Sequence, residues 1–498
     1  MHDRRRLGGA ARRVIAMSSS EWEAVIGLEV HAQLKTSSKL FSRESAQYGA
    51  EPNTQVNEVC AGMPGALPVI NERAVEYAMV AGYALGCEVH LWSQFARKNY
   101  FYPDLPKGYQ ISQFKHPICT GGGVDYLLDG ELKRCNLTRI HLEEDAGKNI
   151  HAPNGSLVDL NRAGVPLIEI VGEPELRSAD EATAYLKELR NILRYLDVCD
   201  GNLEEGSFRC DANVSVRPRG QEAFGTRAEL KNINSFRFIQ RAIDYEIARQ
   251  IDLLENGEQV VQETRLFNHD TGRTTSMRSK EEAHDYRYFP DPDLPPLVIA
   301  PEWSERVKAA LPELPGQKRE RYQRDLGLPA YDADVLTQAR PVAEFFEAAV
   351  AAHDNPKGIA NWVMNEVLRE VDNPEEGLDA LAFGPAQLAE LVQMVDDKEL
   401  TGKIAKAVFA KMVESGQAPT EIADAEGLRP IRDEGRLRAL IADILANNPA
   451  QVEQFRGGKT KLMGFFIGQL MQQTRGKADP GLGRKLLMEE LNSDNEDG

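Results

Sequence analysis

Alternation of apolar and polar residues marks one stretch near the start of the chain. Between Ile26 and Leu34 the apolar residues fall on one parity, while Glu29 and His31 fall on the other. A period of two over this length predicts a β-strand with one buried face. Glu29 and His31 therefore project from the same face. A carboxylate beside an imidazole can hold a metal ion or orient a phosphate, and a solvated outer face of an antiparallel sheet is the alternative.

The same alternation returns twice further along the chain. The first repeat, residues 207–217, places Asp211 and Asn213 on its polar face. The second repeat places Glu229 and Lys231 on one face. A single strand of this kind is commonplace. Three strands that each present an acid beside an amide, imidazole or amine indicate a concave sheet whose polar face is a site.

Two further stretches carry candidate chemistry. Residues 97–109 form a proline-containing loop in which Lys98 lies among aromatic residues. This suits a phosphate and a base, although the rings also suit packing onto the core. Glu143, Glu144 and Asp145 follow one another at the end of a predicted strand. Crowded carboxylates repel unless a cation neutralises them, so a metal site and a solvated strand end both fit.

The rest of the chain divides into a β-rich part and a helical part. The proline density of residues 285–296 is typical of a domain edge. From residue 301 onward the alternation disappears and Ala, Leu, Glu and Lys dominate, which predicts helices. We predict an α+β chain with a large mixed or antiparallel β cradle followed by an all-α domain and a small α-helical tail. The predicted parts are a disordered leader (1–20), a cradle domain with the site (21–300), a helical domain (301–420) and a tail domain (421–498).

Length and charge narrow the possible functions. A chain of 498 residues exceeds one hydrophobic core, so two to four domains are expected. A net charge of −18 and a pI of about 5.1 argue against nucleic-acid binding through bulk charge. Contact with RNA would therefore need a local basic patch. The basic residues near the C-terminus could form such a patch, or they could simply be the solvent-exposed face of a helix. The candidate patch contains Arg456, Lys459, Lys461, Arg475, Lys477, Arg484 and Lys485.

The cysteines and the N-terminus bear on location. Six scattered cysteines without a CxxC pair indicate reduced thiols, and no apolar run is long enough to span a membrane. Residues 1–20 are rich in Arg, Gly and Ser. A transit peptide, a disordered leader and a start codon assigned upstream of Met17 all fit this bias, and we favour a disordered leader. We expect a cytoplasmic protein, with organellar targeting by the leader left open.

Common nucleotide-binding and hydrolase motifs are absent. Residues 458–460 (GKT) resemble the end of a P-loop, but Glu453 stands where that motif needs glycine. The sequence contains no HExxH, GxSxG or dinucleotide-binding GxGxxG motif. Residues 37–39 (SSK) superficially resemble a serine–lysine amidase site without its glycine- and serine-rich surroundings. A reaction that needs ammonia would therefore need another chain to supply it.

A set of long, ordered motifs resembles one known family. The motifs are residues 25–31 (VIGLEVH), 97–104 (RKNYFYPD), 109–113 (YQISQ), 141–148 (HLEEDAGK), 159–169 (DLNRAGVPLIE), 209–213 (RCDAN), 229–232 (ELKN) and 285–290 (DYRYFP). They resemble the GatB family, the B subunits of bacterial aspartyl/glutamyl-tRNA amidotransferases. The resemblance covers residues 25–297. The C-terminal part is similar to that family's helical and YqeY-like tail domains, mainly through residues 458–459 and 476–480.

The resemblance implies a kinase-like step that uses ATP and Mg²⁺. The γ-phosphate of ATP moves onto the side-chain carboxylate of misacylated Glu-tRNA(Gln) or Asp-tRNA(Asn). Ammonia from a glutaminase A subunit then gives Gln-tRNA(Gln) or Asn-tRNA(Asn), and a small C subunit completes the heterotrimer. Which misacylated tRNA is the substrate stays open.

The resemblance also implies roles for residues at matching positions. The implied Mg²⁺ ligands are Glu29, His31, Glu144, Asp211 and Glu229. Glu144 is preferred to Glu143 by the resemblance alone. The implied catalytic residues are Lys98, Glu144 and His31, with Lys98 assigned to the phosphate or acyl phosphate. The residues expected to contact the nucleotide are Lys98, Asn213 and Lys231.

Two other functions fit the same residues. A metal-dependent hydrolase would use these carboxylates on water and would turn over without tRNA. A non-catalytic scaffold would only present tRNA to a partner. In that case, replacing Glu29 or Asp211 would leave transamidation intact.

Overall fold

The computed structural model describes residues 21–152, 155–279, 286–374, 377–428, 433–474 and 478–492. The predicted leader and two residues of the basic patch, Arg475 and Lys477, lie outside these ranges. In the described chain, no helix is both long enough and apolar enough to cross a bilayer.

The first of two compact units, Met1–Gln317, is built on a large sheet. The strands of this unit are β1 (Trp22–Gln33), β2 (Glu88–Val89), β3 (Trp92–Ser93), β4 (Ala96–Asn99), β5 (Tyr109–Ser112), β6 (Cys119–Thr120), β7 (Gly123–Leu128), β8 (Glu131–Glu144), β9 (Lys148–Ala152), β10 (Gly155–Asp159), β11 (Pro166–Gly172), β12 (Phe208–Pro218), β13 (Ala228–Lys231), β14 (Glu263–Asn268), β15 (Arg273–Ser279), β16 (Phe289–Pro290) and β17 (Leu297–Val298). The large sheet has the order β15-β14-β13-β12-β1-β11-β8-β6-β2, with β7 also paired to β8. Its pairs are antiparallel except β13–β14, which is parallel.

The helices follow the predicted division. They are α1 (Glu72–Ala84), α2 (Ala179–Tyr195), α3 (Phe236–Glu255), α4 (Pro301–Ala309), α5 (Pro315–Arg324), α6 (Ala330–Leu336), α7 (Arg340–Ala352), α8 (Pro356–Asn365), α9 (Pro385–Asp396), α10 (Gly402–Ser415), α11 (Pro419–Ala425), α12 (Glu434–Ala446), α13 (Pro449–Arg456), α14 (Met463–Gln473) and α15 (Pro480–Asn492). Short 3₁₀ turns lie at Val367–Arg369, Leu378–Ala380 and Thr460–Leu462. The predicted α+β class, with a large sheet followed by helices, is confirmed.

Strand β1 is paired on both sides, to β12 and to β11. In this register His31 lies opposite Glu169 of β11, and Glu29 lies opposite Asp211 of β12. The alternate residues of β1, such as Leu28, are fully buried in a core shared with α1, α2 and α3. One face of the sheet is therefore core, and the other face is free to carry polar groups.

A small sheet, β16-β4-β5, forms a wall beside this polar face. The stretch at residues 97–109, predicted as a loop, therefore begins and ends in strands. Arg97 of β4 fixes the wall by an ion pair of 2.9 Å to Asp291, whose side chain is fully buried. Strand β5 contacts β8 of the large sheet. The next residue of β4, Lys98, thereby lines the cavity above the large sheet.

The second unit, Lys318–Gly498, contains two hydrophobic cores. The first runs from Tyr322 to Ala423, and the second from Leu437 to Leu491. The first core extends past residue 420 through Ile422 and Ala423, so the division of the helical part at residue 420 stays a prediction. Helix α4 instead packs on α1 in the first unit, so the predicted boundary at residue 300 falls inside that unit.

We expect Gly122→Ala to destabilise the first unit much more than Gly121→Ala. Both glycines connect β6 to β7 with positive φ, +87° and +67°. A Cβ at Gly122 would lie 2.6 Å from the carbonyl oxygen of Leu85, whereas a Cβ at Gly121 meets nothing within 4 Å. The loss should be about 2–4 kcal/mol for the first variant and about 1 kcal/mol for the second. Chemical denaturation measures both, and equal losses would contradict the role given to the close contact.

Candidate active site

The polar face of β1 forms the floor of a trough. Its residues, in order along the strand, are Val25, Gly27, Glu29, His31 and Gln33. The central cavity of the trough, which we call the polar pocket, has a volume of about 430 Å³. Its lining comes from β1, β8, β11, β12, β13 and β14 and from the β4–β5 wall. Residues distant in sequence are thus brought to one site by sheet register.

A histidine–carboxylate cluster lies at one side of the polar pocket. His31 Nε2 is 3.5 Å from Glu143 Oε1 and 3.3 Å from Glu169 Oε2. His141 Nε2 is 3.4 Å from Glu169 Oε2 and 3.8 Å from Glu143 Oε2. Within the described residues, His31, Glu143 and Glu169 each offer a ligand atom within 4.8 Å of the others. This donor set can hold a divalent cation.

The histidines of this cluster offset the negative charge of its carboxylates. Burial opposes protonation of His141, but Glu169 and Glu143 raise its pKa to about 9. Burial likewise opposes protonation of His31, and a hydrogen bond to Glu169 with the charges of both carboxylates raises its pKa. The same contacts outweigh burial and lower the pKa of Glu169 well below its usual range. His141, which is protonated at neutral pH, therefore offsets part of the negative charge of Glu143 and Glu169, and His31 holds Glu169 by a hydrogen bond.

A second cluster surrounds Lys231, on the β12–β13 side of the pocket. Its ammonium group pairs with Asp211 and, at 2.9 Å, with Glu229 Oε1. Glu29 Oε1 accepts a hydrogen bond of 3.0 Å from Asn213 Nδ2. Burial and the surrounding carboxylates raise the pKa of Glu29. Asp211 and Glu229 thus share a protein cation, whereas Glu29 is held by a neutral amide.

The structure brings most of the sequence-predicted site residues together. Those that line the polar pocket are Glu29, His31, Lys98, Asp211, Asn213, Glu229 and Lys231. They fall into two clusters. His31 belongs to the histidine cluster, whereas Glu29, Asp211 and Glu229 surround or approach Lys231.

Glu144 does not line the polar pocket. Its Oε1 accepts a hydrogen bond from the backbone N–H of Ile111 at 2.9 Å and pairs with Lys107. Glu143 occupies the pocket instead. The physical reason is parity, because Glu143 shares its face of β8 with His141, and Glu144 shares the opposite face with buried Leu142.

Asp145, the last acid of the run, is buried in a structural network. It accepts hydrogen bonds from both terminal nitrogens of Arg209, at 2.9 and 3.0 Å, and one of 2.8 Å from Gln33. Burial raises its pKa, but the positive charges of Arg209 and Arg162 outweigh this and lower it. Three successive carboxylates therefore have three different environments.

Lys98 extends into the polar pocket among aromatic rings. Its Nζ lies 5.0 Å from the centre of the Tyr286 ring. Burial opposes its charge, but Glu143 and the neighbouring groups raise its pKa. Among the described residues, no carboxylate lies within ion-pairing distance of Lys98. The ammonium group is thus available to an anionic ligand.

A smaller cavity of about 240 Å³, which we call the apolar recess, continues the trough beyond Glu29. Val25 and Gly27 form its floor, and Phe224 and Arg227 line it. Arg227 lines the polar pocket as well. The recess therefore offers apolar surface on one side and a guanidinium group at the junction with the polar pocket.

Sequence reasoning did not select several lining residues. Glu169 is a single acid in the middle of the buried strand β11, which was a readable signal. Glu143 could have been selected by its parity with His141. Val25, an apolar residue on the polar parity of β1, was the signal for the recess. Nothing in the local sequence indicates that Tyr286 belongs to the site, because only the tertiary fold brings its ring close to Lys98.

We expect the stability of the first unit to fall as pH rises. The pKa of His141 is raised from 6.5 to about 9 in the folded protein, so its contribution is full below pH 6.5 and is lost through pH 9. The loss should be about 3 kcal/mol, measured as thermal unfolding between pH 6 and pH 10 with a chelator present.

His141→Asn should flatten this dependence. The control is His116→Asn, because His116 is exposed and contacts the ring of Trp92 rather than the cluster. A wild-type profile that is flat over this range, or one flattened equally by the control variant, would contradict the assignment.

Comparisons with known proteins identify the family. Residues 24–305 match the model of the GatB/GatE catalytic domain, and residues 344–491 match the GatB_Yqey model, described as the GatB domain. The chain is 56% identical over 476 residues to the B subunit of the aspartyl/glutamyl-tRNA(Asn/Gln) amidotransferase of Geotalea daltonii, covering 95% of this chain and 99% of that protein. It is 57% identical over 474 residues to the B subunit of the same name from Oleidesulfovibrio alaskensis, covering 95% and 100%. This chain therefore belongs to the GatB family of amidotransferase B subunits.

Proposed function

We propose that this chain, the B subunit of a tRNA-dependent amidotransferase, activates a side-chain carboxylate in the polar pocket. The γ-phosphoryl group of ATP is transferred to the carboxylate of glutamate or aspartate esterified to tRNA. ADP leaves and an acyl phosphate remains. Ammonia then forms the amide and displaces phosphate. The product is Gln-tRNA(Gln) or Asn-tRNA(Asn).

One observation carries this proposal. Around the polar face of β1, the structure brings together a cluster that can bind a metal ion, the ammonium group of Lys98, which has no ion-pair partner among the described residues, and an adjoining apolar recess. Transfer of a phosphoryl group between two anions depends mainly on positioning and on charge neutralisation. The three features supply these needs without a covalent nucleophile.

The histidine–carboxylate cluster fits a magnesium ion. His31, Glu143 and Glu169 provide two carboxylates and one imidazole around one point, and the open pocket leaves room for water ligands. Among the described residues, six acidic side chains line the pocket against four Lys and Arg side chains and the protonated His141, so a bound anion needs an added cation. When bound, Mg²⁺ supplies neutralisation of phosphoryl charge.

ATP fits with its base in the apolar recess and its phosphates in the polar pocket. Phe224 is 62% exposed at the recess, and the Arg217 guanidinium lies 5.6 Å from its ring centre. Arg227 lines both cavities, as does Asn213. These positions suit a base stacked on Phe224 and phosphates that approach Arg227.

Lys98 neutralises the carboxylate that receives the phosphoryl group. It lies on the β4–β5 wall and lines the same pocket as Glu143 and the lysine cluster. A cation there favours binding of the substrate anion and then of the acyl phosphate. Lys231 is already paired with Asp211 and Glu229, so its role is to hold these acids and contact the nucleotide.

We propose the other subunits of the enzyme from the role of the GatB family. A glutaminase A subunit supplies ammonia, and a small C subunit completes the complex. The curated relatives are named as B subunits, which implies a multi-subunit enzyme. We place tRNA recognition on the helical and tail domains and the enzyme in the cytoplasm of a bacterium.

The decisive test uses the assembled amidotransferase. We expect misacylated tRNA to stimulate ATP cleavage and yield amidated tRNA. A hydrolase would cleave substrate without tRNA. Glu29→Ala and Asp211→Ala should abolish transamidation, and full activity in both variants would favour the scaffold function. Assays with Glu-tRNA(Gln) and Asp-tRNA(Asn) decide which substrate is used.

We expect Glu143→Gln and Glu169→Gln to weaken Mn²⁺ binding by about 100-fold, because each removes a charged ligand from the cluster. Electron paramagnetic resonance of free Mn²⁺ measures the affinity. Glu144→Gln is the matched control, since the side chain of Glu144 pairs with Lys107 outside the pocket. If only the Glu144 variant lost affinity for Mn²⁺, Glu144 would be the metal ligand, as the family resemblance implied, and Glu143 would not.

We expect Phe224→Ala to raise the KM for ATP by about tenfold, because stacking of a base on an aromatic ring contributes about 1–3 kcal/mol. The KM for misacylated tRNA should stay unchanged. Phe101→Ala serves as the control, because Phe101 is 90% exposed and lines neither cavity. An equal rise for both substrates would contradict a base site in the recess.

A further inference from the structure

A pair of stacked aromatic rings forms one wall of the polar pocket. The rings of Phe114 and Tyr288 have centres 4.2 Å apart and planes within 9° of parallel. Tyr286 meets Tyr288 edge-on, with centres 6.2 Å apart. All three residues line the pocket. We call Phe114 and Tyr288, with Tyr286 edge-on to Tyr288, the aromatic shelf.

The backbone holds the shelf in place. Asn99 Nδ2 donates hydrogen bonds to the carbonyl oxygens of Tyr286 and Arg287, at 3.1 and 2.9 Å. The backbone N–H of Asn99 also donates to Tyr286, at 3.0 Å. Arg287, between the two tyrosines, has a φ of +42°, which is costly for a residue with a side chain. The backbone is thus strained at the residue between Tyr286 and Tyr288, both of which line the pocket.

The shelf keeps aromatic surface exposed to the cavity. Phe114 is 44% exposed, although the unit has a large core in which a phenylalanine could be buried. An exposed ring inside a polar pocket is unfavourable unless a ligand covers it. The flat stacked geometry matches a planar aromatic ligand.

We infer that the aromatic shelf binds the terminal purine base of the misacylated tRNA by stacking. This inference rests on the proposed function. The reacting carboxylate belongs to an amino acid esterified to the ribose of the terminal adenosine, so that nucleoside enters the site with it. Base-to-ring stacking is the usual way in which proteins hold unpaired RNA ends.

The position of Lys98 links the shelf to the chemistry. Its ammonium group lies over the Tyr286 ring, and Lys98 lines the same pocket as Glu143 of the histidine cluster. A base on the shelf therefore places its ribose next to Lys98 and its aminoacyl group toward the cluster. The ATP base has a separate place, because the apolar recess lies over β1, β11 and β12 and shares no residue with the shelf.

A double-mutant cycle tests the contact in the assembled enzyme. The protein variants are Phe114→Leu, which keeps apolar bulk without a π face, and Phe114→Tyr, which keeps the ring. The ligands are uncharged tRNA and the same tRNA with an abasic terminal nucleotide. We expect wild type and Phe114→Tyr to bind the intact tRNA about tenfold more tightly than the abasic one. Phe114→Leu should bind the two within about twofold of each other.

The matched control is Phe101→Leu, which removes a ring that is 90% exposed and lies outside the pocket. It should keep the tenfold preference. Tyr288→Leu is a second shelf variant and should lose it, which keeps the test valid if Phe114→Leu does not fold. Equal loss of affinity for both tRNAs in the shelf variants, or no loss for either, overturns the inference.

The same preparation separates the two proposals. If the wild-type enzyme cleaves ATP in response to misacylated tRNA, but the effects of the protein variant and of the missing base simply add, only the shelf assignment is wrong. The proposed function then stands. If misacylated tRNA causes no ATP cleavage, the proposed function fails, whatever the cycle gives. A tenfold preference that depends on the ring at position 114 supports the shelf.

Discussion

The pairing of β1 on both of its edges is the constraint on which the site depends. Because β12 and β11 fix its register, every second residue is committed to the core and the others to the trough. A slip by one residue would bury Glu29 and His31 and expose Leu28. The hydrophobic core thus positions the polar site, because the same alternation that buries one face presents the other.

Electrostatic balance then organises the polar face. Its acids do not face solvent as a uniform surface, since each has a defined cation or proton donor. Two imidazoles hold Glu143 and Glu169, and Lys231 holds Asp211. Among the described residues, Lys98 and Arg227 line the pocket without a carboxylate in ion-pairing distance, so both can meet a ligand. A site arranged in this way can accept two anionic substrates once a divalent cation is added, which is the need of phosphoryl transfer to a carboxylate.

The limits of sequence reasoning are clear at β8 and β11. Parity within one strand was sufficient to separate Glu143 from Glu144, but the resemblance favoured Glu144 and the structure places Glu143 in the pocket. Glu169 stood alone in an apolar strand, and nothing local indicates that it lies opposite His31. Phe114 and Tyr288 are distant in sequence, so their stacking could not be read from either segment.

The sequence by itself determined the elements and their faces, because alternation and helical spacing are local properties of the chain. It therefore predicted the α+β class, the polar strands, the helical C-terminal part and the family. Only the tertiary structure decided which polar faces meet, since strand order and register depend on contacts between distant segments. These tertiary contacts divide the predicted ligands into two clusters and form the recess and the shelf.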